Sequence, residues 1–189
     1  MAHMQRMQEL DRLAFGIRRC RKCRLCHGRR HAVPGEGDPH ARVMLVGEAP
    51  GATEDELGRP FVGRSGRFLD QILNECGLER ESVFITSSVK CRPPGNRPPR
   101  TDELAICRQA WLNRQIELID PRLIVLLGKT PLSQLLGEAA SLIDLHGGIR
   151  DMGGRRYLIT YHPAAAMRFP RIRSLMQADL KILTELASP

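Results

Sequence analysis

The sequence predicts an α/β protein with a parallel sheet that helices cover on both faces. Four short, nearly all-apolar runs have the length of buried strands: 42–46 (RVMLV), 83–86 (VFIT), 123–127 (LIVLL) and 157–160 (YLIT). Helical patterns surround and separate these runs at 5–19, 64–76, 102–120, 130–136 and 174–186. Strands that are apolar on both faces and alternate with helices are typical of parallel sheets.

The length and composition suit one globular domain with a basic surface. The chain has 189 residues, and we expect 5–189 to form a single domain. The first four residues, MAHM, are typical of a scar left by recombinant expression and are set aside. The formal net charge is +8, and nearly all of the positive charge is arginine, because the only lysines are Lys22, Lys90, Lys129 and Lys181. This balance favours nucleic acid as a partner, since arginine matches phosphates and stacks on bases.

The chain lacks the apolar run of about 18 residues that a membrane span needs, and no signal peptide pattern is present. We therefore expect a cytoplasmic protein that does not bind membranes.

Four cysteines form two spaced pairs with basic neighbours. Cys20 and Cys23 are separated by two residues, and Cys91 and Cys107 by fifteen. In a reducing compartment such thiols favour metal binding over disulfides, and adjacent positive charge favours the thiolate that binds metal. Zinc and an iron–sulfur cluster both suit four thiolates, and the wide second spacing favours the cluster.

Two alternatives to this interpretation stay open. The four thiols can instead be reduced, buried side chains without a metal. Cys26 extends the first pair to C-x2-C-x2-C and is a rival ligand. Cys76 lies within an apolar helical pattern, so we expect it in the core.

Candidate catalytic and ligand-binding residues follow three of the predicted strands. These segments are Gly47–Gly51 (GEAPG), Ser87–Cys91 and the histidine at 162. Because ligands of parallel sheets bind beyond the carboxyl ends of the strands, we expect the three segments to converge.

Each candidate side chain has a functional and an ordinary interpretation. Glu48 can orient water or stabilise a cation, or it is a solvated loop residue; Glu54 is a rival carboxylate or a residue that favours a helix start. Phe61 lies in a glycine-rich basic loop at 58–66, where it can stack on a base or anchor the loop in the core. His162 can donate a hydrogen bond to a developing anion or be structural.

A rigid, basic loop, RPPGNRPPR, occupies 92–100. It is either a solvated surface loop or a wall beside Cys91 that contacts phosphates.

Taken together, these motifs resemble the family 4 uracil-DNA glycosylases, the iron–sulfur class of their superfamily. The matching segments are C-x2-C at 20–23, GEAPG-x2-ED at 47–55, GRPFVG at 58–63, VKCRPP at 89–94, the cysteine at 107 and HPAAA at 162–166. The resemblance implies a three-layer α/β/α sandwich around a central four-stranded parallel sheet. It also implies a structural [4Fe–4S] cluster on Cys20, Cys23, Cys91 and Cys107, with Cys26 outside the ligand set.

The resemblance further implies roles for particular residues. Glu48, with Glu54 as its rival, would activate water, and His162 would stabilise the departing base. Base contacts would come from Ala49, Phe61 and Ser87. DNA contacts would come from Arg59, Arg64, Arg92, Arg97, Met167 and Arg168.

One position departs from the family pattern. Family members usually have asparagine directly after the second strand, where this chain has Ser87. An amide offers a donor and an acceptor to a uracil edge, whereas serine offers one hydroxyl on a shorter stem. We therefore expect an altered rate or base range.

The leading functional hypothesis is a monomeric glycosylase that excises uracil from single- or double-stranded DNA. The alternative is a protein of the same superfamily that binds uracil or abasic DNA with little or no turnover. Covalent capture of abasic DNA is disfavoured, because 90–101 contains neither a histidine nor an insertion. A redox sensor has only the cysteines in its favour.

Overall fold

A six-stranded mixed sheet forms the centre of the protein. The structure, a computed structural model, describes residues 2–137 and 141–183. The strands are β1 (Glu36–Gly37), β2 (Val43–Gly47), β3 (Phe84–Ser87), β4 (Leu123–Leu127), β5 (Ile149–Met152) and β6 (Arg155–Thr160). Their order in the sheet is β1-β3-β2-β4-β6-β5.

The four predicted strands are confirmed as a parallel core. They are β3, β2, β4 and β6, and their bounds differ from the prediction by no more than two residues. Leu45 of β2 is in register with Ile85 on one side and Val125 on the other. The sequence analysis missed the edge strands β1 and β5, which pair antiparallel with β3 and β6. Both edge strands are short and contain charged residues, so neither resembles a buried strand.

Helices cover both faces of the sheet. They are α1 (Ala2–Arg18), α2 (Ala52–Leu57), α3 (Arg64–Glu75), α4 (Thr101–Cys107), α5 (Asn113–Ile119), α6 (Lys129–Leu136), α7 (Leu142–Leu145), α8 (Pro163–Ala166) and α9 (Pro170–Leu180). A π-helical segment, Arg108–Leu112, joins α4 to α5. The predicted last helix begins at Pro170 and not at 174, and its predicted part beyond 183 lies outside the described residues. At the other end of the chain, Met1 of the expected scar also lies outside the described residues, and Ala2 to Met4 belong to α1.

Two apolar cores make the predicted three layers. On one face, α3 and α9 pack against Leu45, Ile85 and Val125. On the other face, α5 and α6 pack against residues of alternate register, such as Met44 and Ile124. The alternation follows from the pleat, which directs successive side chains to opposite faces. The parallel order sets all four carboxyl ends at one edge of the sheet.

Among the described residues, no helix is both long enough and apolar enough to cross a membrane.

Candidate active site and cysteine cavity

The carboxyl ends of the four parallel strands lie next to one another. Ser87, the last residue of β3, is in register with Gly47 at the end of β2, and the Ser88 N–H donates to the Gly47 carbonyl at 2.8 Å. On the other side, the Gly128 N–H after β4 donates to the Thr160 carbonyl of β6 at 2.9 Å. The three segments singled out in the sequence therefore meet, and the end of β4 joins them.

Glu48 is held at this edge by a residue that the sequence analysis missed. The Thr130 hydroxyl at the start of α6 donates to the half-buried Glu48 carboxylate. A glycine directly after the LIVLL strand was the signal available in the sequence, because such a glycine opens a turn at the carboxyl edge. Thr130 leaves the other Glu48 oxygen with acceptor capacity for water.

Glu54 has a different environment, although it was predicted as a rival of Glu48. It is 8% exposed, and its carboxylate accepts backbone N–H groups of Gly51 at 3.1 Å, Val62 at 3.0 Å and Gly63 at 2.8 Å. These bonds link the turn before α2 to the loop before α3. The arrangement gives Glu54 the role of joining the two loops that carry Glu48 and Phe61.

Phe61 packs against the end of β2, next to Glu48. Its ring packs over Gly47, where a Cβ atom would come within 2.4 Å of the ring. The ring centroid is 5.8 Å from that of His162. Phe61 is a buried anchor of its loop, as one interpretation of the sequence has it, and its stacking on a base stays a prediction.

His162 caps the short helix α8. Its Nδ1 accepts the Ala164 N–H at 3.1 Å, which assigns the proton of the neutral ring to Nε2. Burial lowers the pKa of His162 below its usual value, against the opposing charges of Glu48 and Glu54. The imidazole is therefore neutral near pH 7 and presents one N–H donor.

The other two residues predicted at the base differ in burial. Ser87 is buried, and its carbonyl accepts the Lys90 ammonium at 2.8 Å. Ala49 is partly buried and packs against the cluster of apolar side chains around Cys91 and Cys107.

Two of the arginines predicted to contact DNA are paired within the protein. Arg59 binds both oxygens of Glu36, at 2.8 and 3.0 Å. Arg97 binds both oxygens of the buried Glu103, at 2.7 and 2.8 Å. Their role at DNA stays a prediction, and each guanidinium is already paired with a carboxylate of the protein.

The other predicted DNA contacts are more available. Arg64 is exposed at the start of α3, and Arg92 is partly buried and donates to Asn96 at 2.7 Å. Met167 and Arg168 are exposed in the turn after α8. Phe169, which the sequence analysis missed, follows them in the chain and is 55% exposed.

The four predicted ligand cysteines line one cavity. Cys20 and Cys23 come from the segment after α1, Cys91 from the segment after β3 and Cys107 from the end of α4. Cys26 also lines the cavity, and all six cysteines are free thiols. Cys76 lies in the apolar core, as predicted.

Two thiols of this cavity, those of Cys91 and Cys107, have a raised pKa. Burial raises the pKa of Cys91 to about 12, although the guanidinium of Arg29 opposes the shift. Burial likewise raises the pKa of Cys107 to about 11, against the charge of Lys90. The thiolate forms therefore require positive charge beyond these two side chains, which a metal centre supplies.

The donors around the cavity fit an anionic, thiolate-bound centre. Arg29 donates to the Cys91 sulfur at 2.9 Å, and the Trp111 indole N–H donates to the Cys20 sulfur at 3.2 Å. Lys90 is 1% exposed and borders the same cavity. A buried ammonium is stable when negative charge lies nearby, and hydrogen bonds to sulfur are a usual feature of iron–sulfur sites.

Among the described residues, no group of three or more histidine, cysteine or acidic side chains is placed to hold one metal ion.

An α/β/α sandwich with four parallel central strands, an acid and a histidine at their carboxyl ends and a cysteine cavity beside them matches one class of DNA repair protein. The chain belongs to the uracil DNA glycosylase superfamily, whose family model matches residues 34–184. The predicted resemblance is confirmed at this level.

Individual relatives show which types of uracil-DNA glycosylase the chain is similar to. The chain is 44% identical over 191 residues to the type-4 uracil-DNA glycosylase of Saccharolobus solfataricus. The alignment covers 96% of this chain and 88% of that protein. It is 44% identical over 154 residues to the type-4 enzyme of Thermotoga maritima, with 80% of each chain covered. Similarity to a type-5 uracil-DNA glycosylase, from Thermus thermophilus, is lower at 34% over 193 residues, with 81% of this chain and 87% of that protein covered.

The different environments of the two acids give a prediction about stability. Glu54→Gln should lower the free energy of unfolding by about 1–3 kcal/mol, because one amide oxygen cannot accept all three backbone N–H groups. Glu48→Gln should cost less, since its amide oxygen can still accept the Thr130 hydroxyl. Urea denaturation of both variants measures the difference, and equal losses would contradict the assignment of Glu54 to the loops.

Proposed function

We propose that this chain excises uracil from DNA by hydrolysing the N-glycosidic bond, which leaves an abasic site. The observation that carries the proposal is the convergence of Glu48, Phe61 and His162 at the carboxyl edge of the sheet. Relatives that cover most of the chain and are named uracil-DNA glycosylases support the same activity.

The target base must first leave the duplex. Extrusion of a base costs a few kcal/mol, and stacking on an aromatic side chain recovers part of this cost. Phe61 is the aromatic wall of the site and would receive the base. The exposed side chains of Arg64, Met167 and Arg168 would contact the distorted strand, and the net charge of +8 favours association with the phosphate backbone.

Bond cleavage separates charge, and the two ionisable residues are arranged for that separation. As the N-glycosidic bond breaks, positive charge develops on the sugar and negative charge on the departing base. The carboxylate of Glu48, oriented by Thr130, would stabilise the sugar cation and take a proton from the attacking water. The neutral His162 would donate its Nε2–H toward the base anion.

The cysteine cavity is proposed to hold a [4Fe–4S] cluster on Cys20, Cys23, Cys91 and Cys107. When bound, the cluster would serve as a covalent link between distant segments and would take no part in hydrolysis. It would connect the segment after α1 with the proline-rich loop and α4. The basic and indole donors at the cavity support this assignment.

A second candidate function is favoured by Ser87. A short hydroxyl replaces the amide that reads the uracil edge in the family pattern, so a protein that binds uracil in DNA and turns over slowly is the alternative. The two candidates differ in the rate of the chemical step and share the same binding site.

The chemical roles can be tested in single-turnover excision of an oligonucleotide with one U:G pair, followed by alkaline cleavage. Glu48→Gln and His162→Ala should each reduce the rate by about a hundredfold or more, and should leave DNA affinity nearly unchanged, because both act on charge that develops during cleavage. Glu117→Gln, an exposed acid on α5, is the matched control. Excision by His162→Ala at the parental rate would show that the role of His162 is wrong, and absence of excision by the parental protein favours the binding alternative.

The cluster assignment predicts a difference between neighbouring cysteines. Cys107→Ala should lose bound iron, and with it the broad absorption near about 400 nm typical of such centres. Cys26→Ala should retain both, because Cys26 is outside the proposed ligand set. Iron and zinc analysis of the purified proteins measures the outcome; zinc without iron in the parental protein would exclude the cluster.

Ser87→Asn should restore a donor and an acceptor for the uracil edge. We expect single-turnover excision to rise by roughly tenfold, since one recovered contact of about 1.4 kcal/mol corresponds to one decade. Preference for uracil over other deaminated bases should also sharpen. Unchanged rate and preference would mean that Ser87 does not occupy the base-reading position.

A further inference from the structure

Arg80, which no motif in the sequence singles out, holds the backbone of Phe61. Its guanidinium donates to the carbonyl of Pro60 at 2.5 Å and to the carbonyl of Phe61 at 3.2 Å. The side chain of Arg80 is only 14% exposed. Two successive carbonyls of one loop are therefore bound by a single planar group that comes from the turn before β3.

The backbone that Arg80 binds has an unfavourable conformation. Phe61 has a φ of 49°, in the left-handed region that residues with a side chain seldom adopt. Such a conformation costs on the order of 1–3 kcal/mol and persists where surrounding contacts impose it. The loop is also confined from the other side, because a Cβ atom at Gly66 would lie 1.8 Å from the Phe61 carbonyl oxygen.

Two carboxylates from separate elements hold Arg80 in place. Glu36 of β1 accepts from Nε at 3.2 Å and from a terminal nitrogen at 2.8 Å, and Asp70 of α3 accepts at 2.7 Å. Burial opposes ionisation of Glu36, but hydrogen bonds from Arg59 and Arg80 outweigh it and lower its pKa. Four acceptors from three segments thus determine the orientation of the guanidinium.

We propose that Arg80 is a positioning residue that holds the Phe61 ring in the orientation required to stack on the extruded base. The inference rests on the proposed function, in which Phe61 receives that base. A platform that is already ordered does not lose conformational freedom when the base arrives, so binding is stronger than with a mobile ring. The edge strand β1 and the helix α3 contribute to the site through this arginine.

A double-mutant cycle tests the inference in single-turnover excision from a duplex with one U:G pair. Arg80→Lys keeps a positive charge beside Glu36 and Asp70 but has no planar fork to bind both carbonyls. We expect Arg80→Lys to reduce the rate by about tenfold, in the range of one lost base stack. Combined with Phe61→Ala, the same change should reduce the rate no further, since the ring it positions is already gone.

The outcomes separate this inference from the proposed function. If Phe61→Ala excises uracil at the parental rate, the assigned role of Phe61 fails. If Phe61→Ala is impaired and Arg80→Lys is either at the parental rate or reduces the rate equally in both backgrounds, the inference about Arg80 is overturned. Arg114→Lys, an exposed arginine paired with Glu9 and Glu117, is the control and should match the parental protein.

Thermal unfolding of each variant shows whether the protein is folded. Should Arg80→Lys not fold, Asp70→Asn removes one support of Arg80 while leaving the guanidinium in place. Its smaller loss of rate should likewise disappear in the Phe61→Ala background, and a loss that persists there would contradict the inference.

Discussion

The carboxylate of Glu54 is the point at which three backbone N–H groups from two loops meet. Without it, the turn that carries Glu48 and the loop that carries Phe61 would have no shared acceptor. Backbone N–H groups that are removed from water are costly to leave unpaired, so the Glu54 carboxylate stabilises the two loops in one relative position. The acid and the aromatic wall of the site can then be aligned before any DNA binds.

A second connection runs from the cysteine cavity to Ser87, the residue proposed to contact the base. Lys90 borders the cavity, and its ammonium donates to Thr86 at 2.6 Å and to the carbonyl of Ser87 at 2.8 Å. Burial lowers the pKa of Lys90 to about 8, although Cys107 and Cys91 oppose the shift. The cysteine segments and the end of β3 are therefore parts of one packed unit.

The sequence was sufficient for the elements whose character is local. Apolar runs such as 123–127 predicted the parallel strands, and their order along the chain predicted that the segments after them meet at one edge of the sheet. Contacts between distant residues have no such local signal. Arg80 meets Glu36 across 44 positions in the chain, and Thr130 meets Glu48 across 82. Charge alone was also a poor guide to free arginines, because it does not reveal that Arg59 is already paired.

Phe61 fits in its position because two of its neighbours are glycines, which have no Cβ atom. Gly47 lies beneath the ring and Gly66 beside its carbonyl, and a methyl group at either position would overlap Phe61. The three positions therefore cannot vary independently: a larger residue at 47 becomes tolerable only when 61 becomes smaller, and a change at 66 requires a different loop. Random single substitutions would rarely find such combinations, so directed evolution of base range should vary 47, 61 and 66 together.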